Sequence, residues 1–234
     1  MSRILHIETS TDVCSVCLAS EGKMISKRET SVERSHASIL TVFINELLDD
    51  LIELNANLDA VAVSMGPGSY TGLRIGVSAA KGICYGSDIP LIAIPTLEAM
   101  CIGVLKQNDI VEKNALLIPM IDARRMEVYM SVYNVELQKI RDTSAQIIDE
   151  DSFHDLLISH PVYCFGTGAE KLKDILLHNN IRFLDNLNMS SEHMIRIALQ
   201  KYNEKKFEDV AYFEPYYLKD FIATTPRKNQ LLSS

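Results

Sequence analysis

No two of the six histidines, His6, His36, His154, His160, His178 and His193, stand three to five positions apart, the helical spacing that sets two metal ligands side by side. A helix-borne metallopeptidase centre is therefore excluded. Positive charge is scarce as well. The 234 residues carry 23 Lys+Arg against 31 Asp+Glu, for a net charge of −8, so no global field gathers nucleic acid, and any RNA contact must be local or made through a partner. Arg124 and Arg125, the Lys201, Lys205 and Lys206 cluster, and Arg227 with Lys228 read as solvated surface on an acidic protein. Cysteine is limited to five, an odd number that does not close a disulfide framework. Cys14 and Cys17 fall inside an alternating strand pattern that sends them to opposite faces, which excludes a redox or zinc pair. Met1-Ser2-Arg3 runs directly into a short strand without a leader's apolar region, and no apolar run approaches the roughly 20 residues a membrane helix requires. These absences lead to the expectation of a reducing, cytoplasmic compartment and no membrane.

Hydrophobic residues make up 47% of the chain, enough for one larger domain or two small ones. The most ordered stretch is Gly66-Pro67-Gly68-Ser69-Tyr70-Thr71-Gly72-Leu73-Arg74-Ile75-Gly76, entered by an apolar run from Ala60 to Met65 and left by a helical run from Leu73 to Tyr85. It reads as a strand–turn–helix corner, with Pro67 fixing its own φ and the glycines permitting a tight path. A P-loop needs Lys and then Ser or Thr after its last glycine, whereas Leu73 and Arg74 follow Gly72. The dinucleotide fingerprint needs one residue fewer before its third glycine. A plain tight corner is the better reading. Gly72, Gly76, Ser78, Ala79, Ala80 and Gly82 then put small residues on a helix where each glycine costs about 1 kcal/mol relative to alanine. Close approach of another backbone compensates, either the chain's own neighbouring helix or a second protein.

Taken in order, strands are expected at Ile4 to Glu8, Val13 to Ala19 and Lys23 to Glu29, with His6 as a half-buried core histidine. A helix capped by Ser35 follows. Leu40, Phe43, Ile44, Leu47, Leu51 and Leu54 form its stripe, and Ile39, Val42, Leu48 and Ile52 lie away from the stripe centre. That second surface meets either a neighbouring helix or a partner. After the corner come a buried strand from Pro90 to Ile94 and a helix from Leu97 capped by Thr96. The pattern then restarts, with strands Ala115 to Ile121 and Val128 to Tyr133, so that Ile4 to Thr9 answers Leu117 to Asp122. The second half continues with a strand near Gln146 to Ile148, a helix from about Ser152 to Ser159 and strand Val162 to Phe165. A Gly166-Thr167-Gly168 turn, a helix from Ala169 to His178 and a last helix from Glu192 to about Lys205, capped by Ser190 or Ser191, complete it. The expected organisation is an N-terminal half at 1–110, a C-terminal half at 111–225 and a mobile tail at 226–234.

Two hairpin-led halves with phosphate-facing turns resemble the α/β actin, sugar-kinase and heat-shock-ATPase (ASKHA) superfamily. Ile7-Glu8-Thr9-Ser10-Thr11, the Gly66 to Gly76 corner, Pro95-Thr96-Leu97-Glu98-Ala99, Ile121-Asp122-Ala123-Arg124-Arg125 with Glu127-Val128-Tyr129, and Glu214-Pro215-Tyr216-Tyr217-Leu218 are similar to one branch of it. That branch is the TsaB (YeaZ-like) family of tRNA threonylcarbamoyladenosine proteins. The resemblance implies a non-catalytic subunit, since the catalytic TsaD paralogue carries a His-x-x-x-His pair that this sequence lacks. It further implies pairing with TsaD for threonylcarbamoyl transfer to N6 of adenosine 37 in tRNAs reading ANN codons. Also implied are a TsaE-like ATPase in the assembly, a homodimer when the chain is alone, and tRNA contact only through the complex.

From the same resemblance, the two wide or small-residue helices form the partner surface, with Ile39, Val42, Phe43, Leu73, Ile75, Gly76, Ala79 and Ala80 as candidates. The superfamily's phosphate turn corresponds to Thr9, Ser10 and Thr11, and its adenosine turn to Gly166 and Gly168, with ATP or ADP held weakly or shared with a partner. Glu8 and Asp122 are candidate magnesium-positioning carboxylates or, equally, strand-end turn formers. The rival reading is a stand-alone ATP-dependent kinase-like enzyme of the same fold. A serine hydrolase is disfavoured, because Ser69 does not lie in a G-x-S-x-G elbow.

Overall fold

The computed structural model describes residues 2–32, 36–108, 110–185, 187 and 189–218. Short strand segments separated by turn residues form the expected opening meander: β1 (Arg3–Glu8), β2 (Cys14–Ser20) and β3 (Lys23–Thr30) pair antiparallel in sequence. The chain then runs through α1 (His36–Glu53), β4 (Ala60–Gly66), α2 (Tyr70–Ser87), β5 (Leu91–Pro95) and α3 (Thr96–Gln107). β4 lies parallel to both β1 and β5, which gives the sheet order β3-β2-β1-β4-β5. Buried on both faces, β4 and β5 are continuously apolar rather than alternating, apart from the buried Ser64.

The second half repeats this plan. β6 (Leu116–Asp122), β7 (Glu127–Asn134) and β8 (Lys139–Ile147) form the meander, followed by α4 (His154–Leu157), β9 (Val162–Phe165) and β10 (Ile181–Leu184), in the order β10-β9-β6-β7-β8. Strand for strand the two orders match, so the chain is a duplicated actin-like α/β fold. A 3-10 turn at Ser191–Met194 leads into α5 (Ile195–Asn203).

α3 is the central layer. It packs its apolar residues Leu97, Met100, Cys101 and Val104 together with Ile92 and Ile94 of the first sheet and with Leu117, Ile121 and Tyr133 of the second. The outer face of the first sheet is covered by Leu40, Ile44 and Leu47 of α1 and by Val77, Ala80 and Cys84 of α2. Cys14 and Cys17 do lie on opposite faces, both buried.

Several expectations are corrected. Thr96 is the first residue of α3 rather than its cap, which is Pro95. The helix expected from Ala169 to His178 is reduced to a 3-10 turn at Glu170–Leu172. Leu172 and Leu176 are buried as the pattern requires, but the chain must reverse within a few residues to enter β10, a short edge strand that the sequence did not announce. The strand expected near Gln146 to Ile148 is the end of the longer β8. The C-terminal segment does not stay with its own half. From Ser190 onward it returns to the first sheet, where Ser191 N and Oγ bond Ser15 Oγ and Ser190 Oγ bonds Glu29. The Ser35 cap and the 226–234 tail lie outside the described residues.

Candidate functional site

The corner is held by its own hydrogen bonds. Ser69 caps α2, its Oγ accepting from Gly72 N at 3.3 Å, and Ser69 N donates to Ser10 O at 2.7 Å. The glycines serve close approach within the chain. A Cβ on Gly68 would lie 2.5 Å from Ser10 O, and one on Gly72 or Gly76 would overlap Thr9 O or Thr9 Oγ1. Gly66, at φ 112°, faces Tyr216 O, which would sit 2.8 Å from an added Cβ. The first two turns of the small-residue helix therefore meet the chain's own Thr9–Ser10 turn rather than the neighbouring helix that was expected there.

This packing fills the expected phosphate turn. Thr9 and Ser10 are buried, and Thr9 Oγ1 donates to Gly72 O at 2.8 Å. Ser10 N donates to Glu8 Oε1 at 2.6 Å and Thr9 N to Ser64 Oγ at 3.4 Å. Thr11 is half-buried, with its hydroxyl accepting from Val13 N. Thr9 and Ser10 thus offer a phosphate neither an open hydroxyl nor a free N–H. Glu8 is buried completely, and burial pushes its carboxyl above the ordinary value against the opposing Ser10 hydrogen bonds, so it is not an open magnesium ligand.

The second turn is also packed rather than open. Gly166, at φ 97°, faces Met120 O and the Met100 side chain, and Gly168 N donates to Met120 O at 3.0 Å. Gly166, but not Gly168, borders a cavity of about 420 Å³ lined by Thr167, Phe183 and Lys173 among others. The Lys173 ammonium there already lies between Glu170 at 2.6 Å and Asp185 at 2.7 Å, which neutralises its attraction for phosphate. Asp122 is exposed and accepts from Lys171 at 2.5 Å and Arg124 N at 2.8 Å. Partial burial pushes its carboxyl up, but these donors outweigh that and hold it below the usual range. Of the residues the resemblance assigned to a nucleotide, Thr9, Ser10 and Gly168 thus spend their N–H groups inside the chain.

The partner candidates divide by burial. Val42 is 48% exposed, and Ile39, Phe43, Ile75 and Ala79 are half-buried at the margin of the core. Leu73, Gly76 and Ala80 are corrected: Leu73 lies under the corner, Gly76 against Thr9, and Ala80 among Leu5 and Val63, so none has surface to offer. The outer row of α2 is instead Arg74, Ser78, Gly82 and Gly86, with Tyr85 standing 86% exposed beside it. Added Cβ atoms on Gly82 and Gly86 would meet nothing within 4 Å. The four-residue spacing of this row was visible in the sequence, but its direction depended on knowing that Gly72 and Gly76 face Thr9. Along the flank of α2 runs the segment 208–217. It is tied by Glu208 N to Leu91 O, by Lys81 Nζ to the carbonyls of Ala211 (3.1 Å) and Phe213 (3.0 Å), and by Tyr216 N to Met65 O.

Ser69 is engaged as a helix cap, and among the described residues no group of three His, Cys, Asp or Glu can hold a metal ion. His6 is fully buried rather than half-buried, with Nδ1 3.3 Å from Cys17 O, and burial lowers its pKa to about 4. His193, against Gly103 of α3, is lowered to about 4 for the same reason. No helix among the described residues is long and apolar enough to cross a membrane.

Comparison with known proteins decides the family. The model of the family described as TsaD, tRNA N6-adenosine threonylcarbamoyltransferase, matches residues 27–160, more than half of the chain. The tRNA threonylcarbamoyladenosine biosynthesis protein TsaB of Escherichia coli is 30% identical over 94% of this chain and 96% of its own length. The chain belongs to the TsaB family. The TsaB protein of Haemophilus influenzae is 29% identical over 93% of both chains. A Pseudomonas aeruginosa protein, described as uncharacterized with similarity to the peptidase YeaZ, shares the fold at a TM-score of 0.79 and 23% identity, over 94% of this chain and 100% of its own. TsaB-family membership connects this chain to threonylcarbamoyladenosine biosynthesis in tRNA.

Proposed function

We propose that the chain is the non-catalytic subunit of a cytoplasmic threonylcarbamoyl-transferring assembly, pairing through α1 and α2 with a TsaD-like catalytic paralogue. The observation that carries this reading is the filled phosphate turn: Thr9 and Ser10 are packed under Gly68, Gly72 and Gly76, where a kinase-like enzyme would need room for a nucleotide. The chain's contribution is then its surface. Ser78, Gly82 and Gly86 let a second helix approach α2 closely, while Val42 and Ile52 of α1, the latter 71% exposed, supply apolar area. When alone, the same face associates with a second copy. A TsaE-like ATPase and tRNA join through the assembly, because a net charge of −8 gives the isolated chain little hold on RNA.

Gly82→Arg tests this. The new Cβ meets nothing within 4 Å and a helix glycine is removed, yet the substitution sets a long cation on the row where a partner helix would lie. Sedimentation of the wild-type chain with the catalytic paralogue is expected to give a complex, and folded Gly82→Arg none. A wild-type mixture that stays apart, or a variant that assembles normally, overturns the reading.

A further inference from the structure

Resting on that reading, we propose that Arg74 is the charged anchor of the α2 surface and takes a carboxylate from a helix of the catalytic partner. Arg74 is exposed on the first turns of α2, one turn before Ser78 and two before Gly82. Its guanidinium is already oriented: Nη1 donates to Tyr70 Oη at 2.6 Å, and the charged carbon lies 5.3 Å from the centre of the Tyr70 ring. Tyr70 in turn packs against Tyr217, with ring centres 5.0 Å apart. Tyr217 belongs to the 208–217 segment, fixed to the first half through Lys81 and through Tyr216 N. The C-terminal segment thus reaches back across the protein to steady one side chain on the proposed docking face.

Among the described residues that side chain meets no anion. Arg28, Arg141 and Arg182 are each closed by a carboxylate of this chain, while Arg3, Arg124, Arg125 and Arg196, like Arg74, show no such bridge among the described residues; Arg74 differs from those four in being held by Tyr70. Among the described residues no carboxylate oxygen comes within 4 Å of Arg74. A guanidinium has five N–H donors in a planar fork, and one bond to Tyr70 leaves most of that fork for a bidentate carboxylate. Holding the fork in place beforehand removes part of the ordering cost of binding. The surroundings favour a protein carboxylate over RNA phosphate: the adjoining row is of small residues suited to helix approach, and the chain's net charge of −8 opposes a polyanion.

The test uses the full chain with the purified catalytic paralogue, reading the dissociation constant by calorimetry and the melting temperature of each variant alone. Arg74→Ala is expected to melt as wild type and to weaken the complex at least about 30-fold, as for other truncated hydrogen-bonded charge pairs. Arg74→Lys is expected to lose most of this affinity too, since an ammonium cannot present the planar fork. Tyr217 is a positioning residue: Tyr217→Phe keeps the ring and should bind as wild type, whereas Tyr217→Ala should weaken binding and leave no further loss for Arg74→Ala to add in full. Wild-type affinity in Arg74→Ala, while Gly82→Arg still abolishes the complex, would overturn the anchor and leave the docking face standing. Loss of both would be expected, and loss of neither would overturn the docking face itself. An Arg74→Ala defect confined to self-association, or to tRNA binding by an intact complex, would also overturn the assignment.

Discussion

Two glycines on one helix should respond to the same substitution with opposite signs. Gly72 and Gly82 both lie in α2, but a Cβ on Gly72 would overlap Thr9 O, a backbone atom, while one on Gly82 would meet nothing within 4 Å. In Gly72→Ala the Thr9 carbonyl must retreat by more than about 1 Å to reach ordinary van der Waals separation. Overpacking of this kind costs about 1–3 kcal/mol, and the Thr9 Oγ1 to Gly72 O hydrogen bond puts about 1 kcal/mol more at risk. Improved helix propensity offsets about 1 kcal/mol, so the net loss is about 1–3 kcal/mol. For a chain of this size that lowers the melting temperature by roughly 2–12 °C. Gly82→Ala gains helix propensity with no clash and should raise the melting temperature by about 1–4 °C. Urea and thermal unfolding of both variants check the pair. A Gly72→Ala protein as stable as wild type would refute the claim that the corner and the Thr9 turn are packed against each other.

Three further outcomes follow from buried and tethering groups. Glu8 has its carboxyl pushed up by burial, so its folded-state pKa lies above the unfolded value; the stability it contributes is complete below the unfolded pKa and is lost as pH rises through the folded one. Glu8→Gln should accordingly equal wild type in urea midpoint at acid pH and exceed it near pH 8; a variant less stable at pH 8 would mean that an anion is required there. His6 and His193 are depressed from 6.5 to about 4, so their contribution is complete above about pH 6.5 and lost as pH falls toward 4. In His193→Asn the midpoint should fall less steeply across that window, and an unchanged slope would count against the assignment. Lys81→Met removes both bonds to the 208–217 segment, so amide exchange there should accelerate while β1 and β4 remain protected; uniform protection would show that Lys81 is not the tether.

The duplicated plan was legible because the signals of both halves are local: apolar strands ending at a carboxylate, turn residues between them, and a continuous apolar run in β4 and β5. Two similar hairpin-led halves followed from those signals. What the sequence could not convey is which distant backbone each glycine faces. Gly72 and Gly76 look like Gly82 in sequence, yet the first two pack on Thr9 and the third on nothing. For the same reason Leu73 and Ala80 were expected at the surface when they are buried, and Arg74 was missed. The shared core around α3 and the return of Ser190–Leu218 to the first sheet were likewise illegible, since contacts between residues so far apart leave no periodic trace. The Thr9–Ser10–Thr11 turn matched the superfamily by residue type, but only the packing of Gly68 above Ser10 revealed that the space is already taken.

The central claim is that this chain acts by docking rather than by its own chemistry, and reconstituted modification of tRNA tests it most directly. Threonylcarbamoyladenosine would be measured in tRNA incubated with a threonylcarbamoyl-adenylate supply and the chain alone, the catalytic paralogue alone, both together, and both with Gly82→Arg in place of wild type. The account predicts no product from the chain alone, product from the pair, and loss of that gain with the folded variant. Product from the chain alone would contradict it.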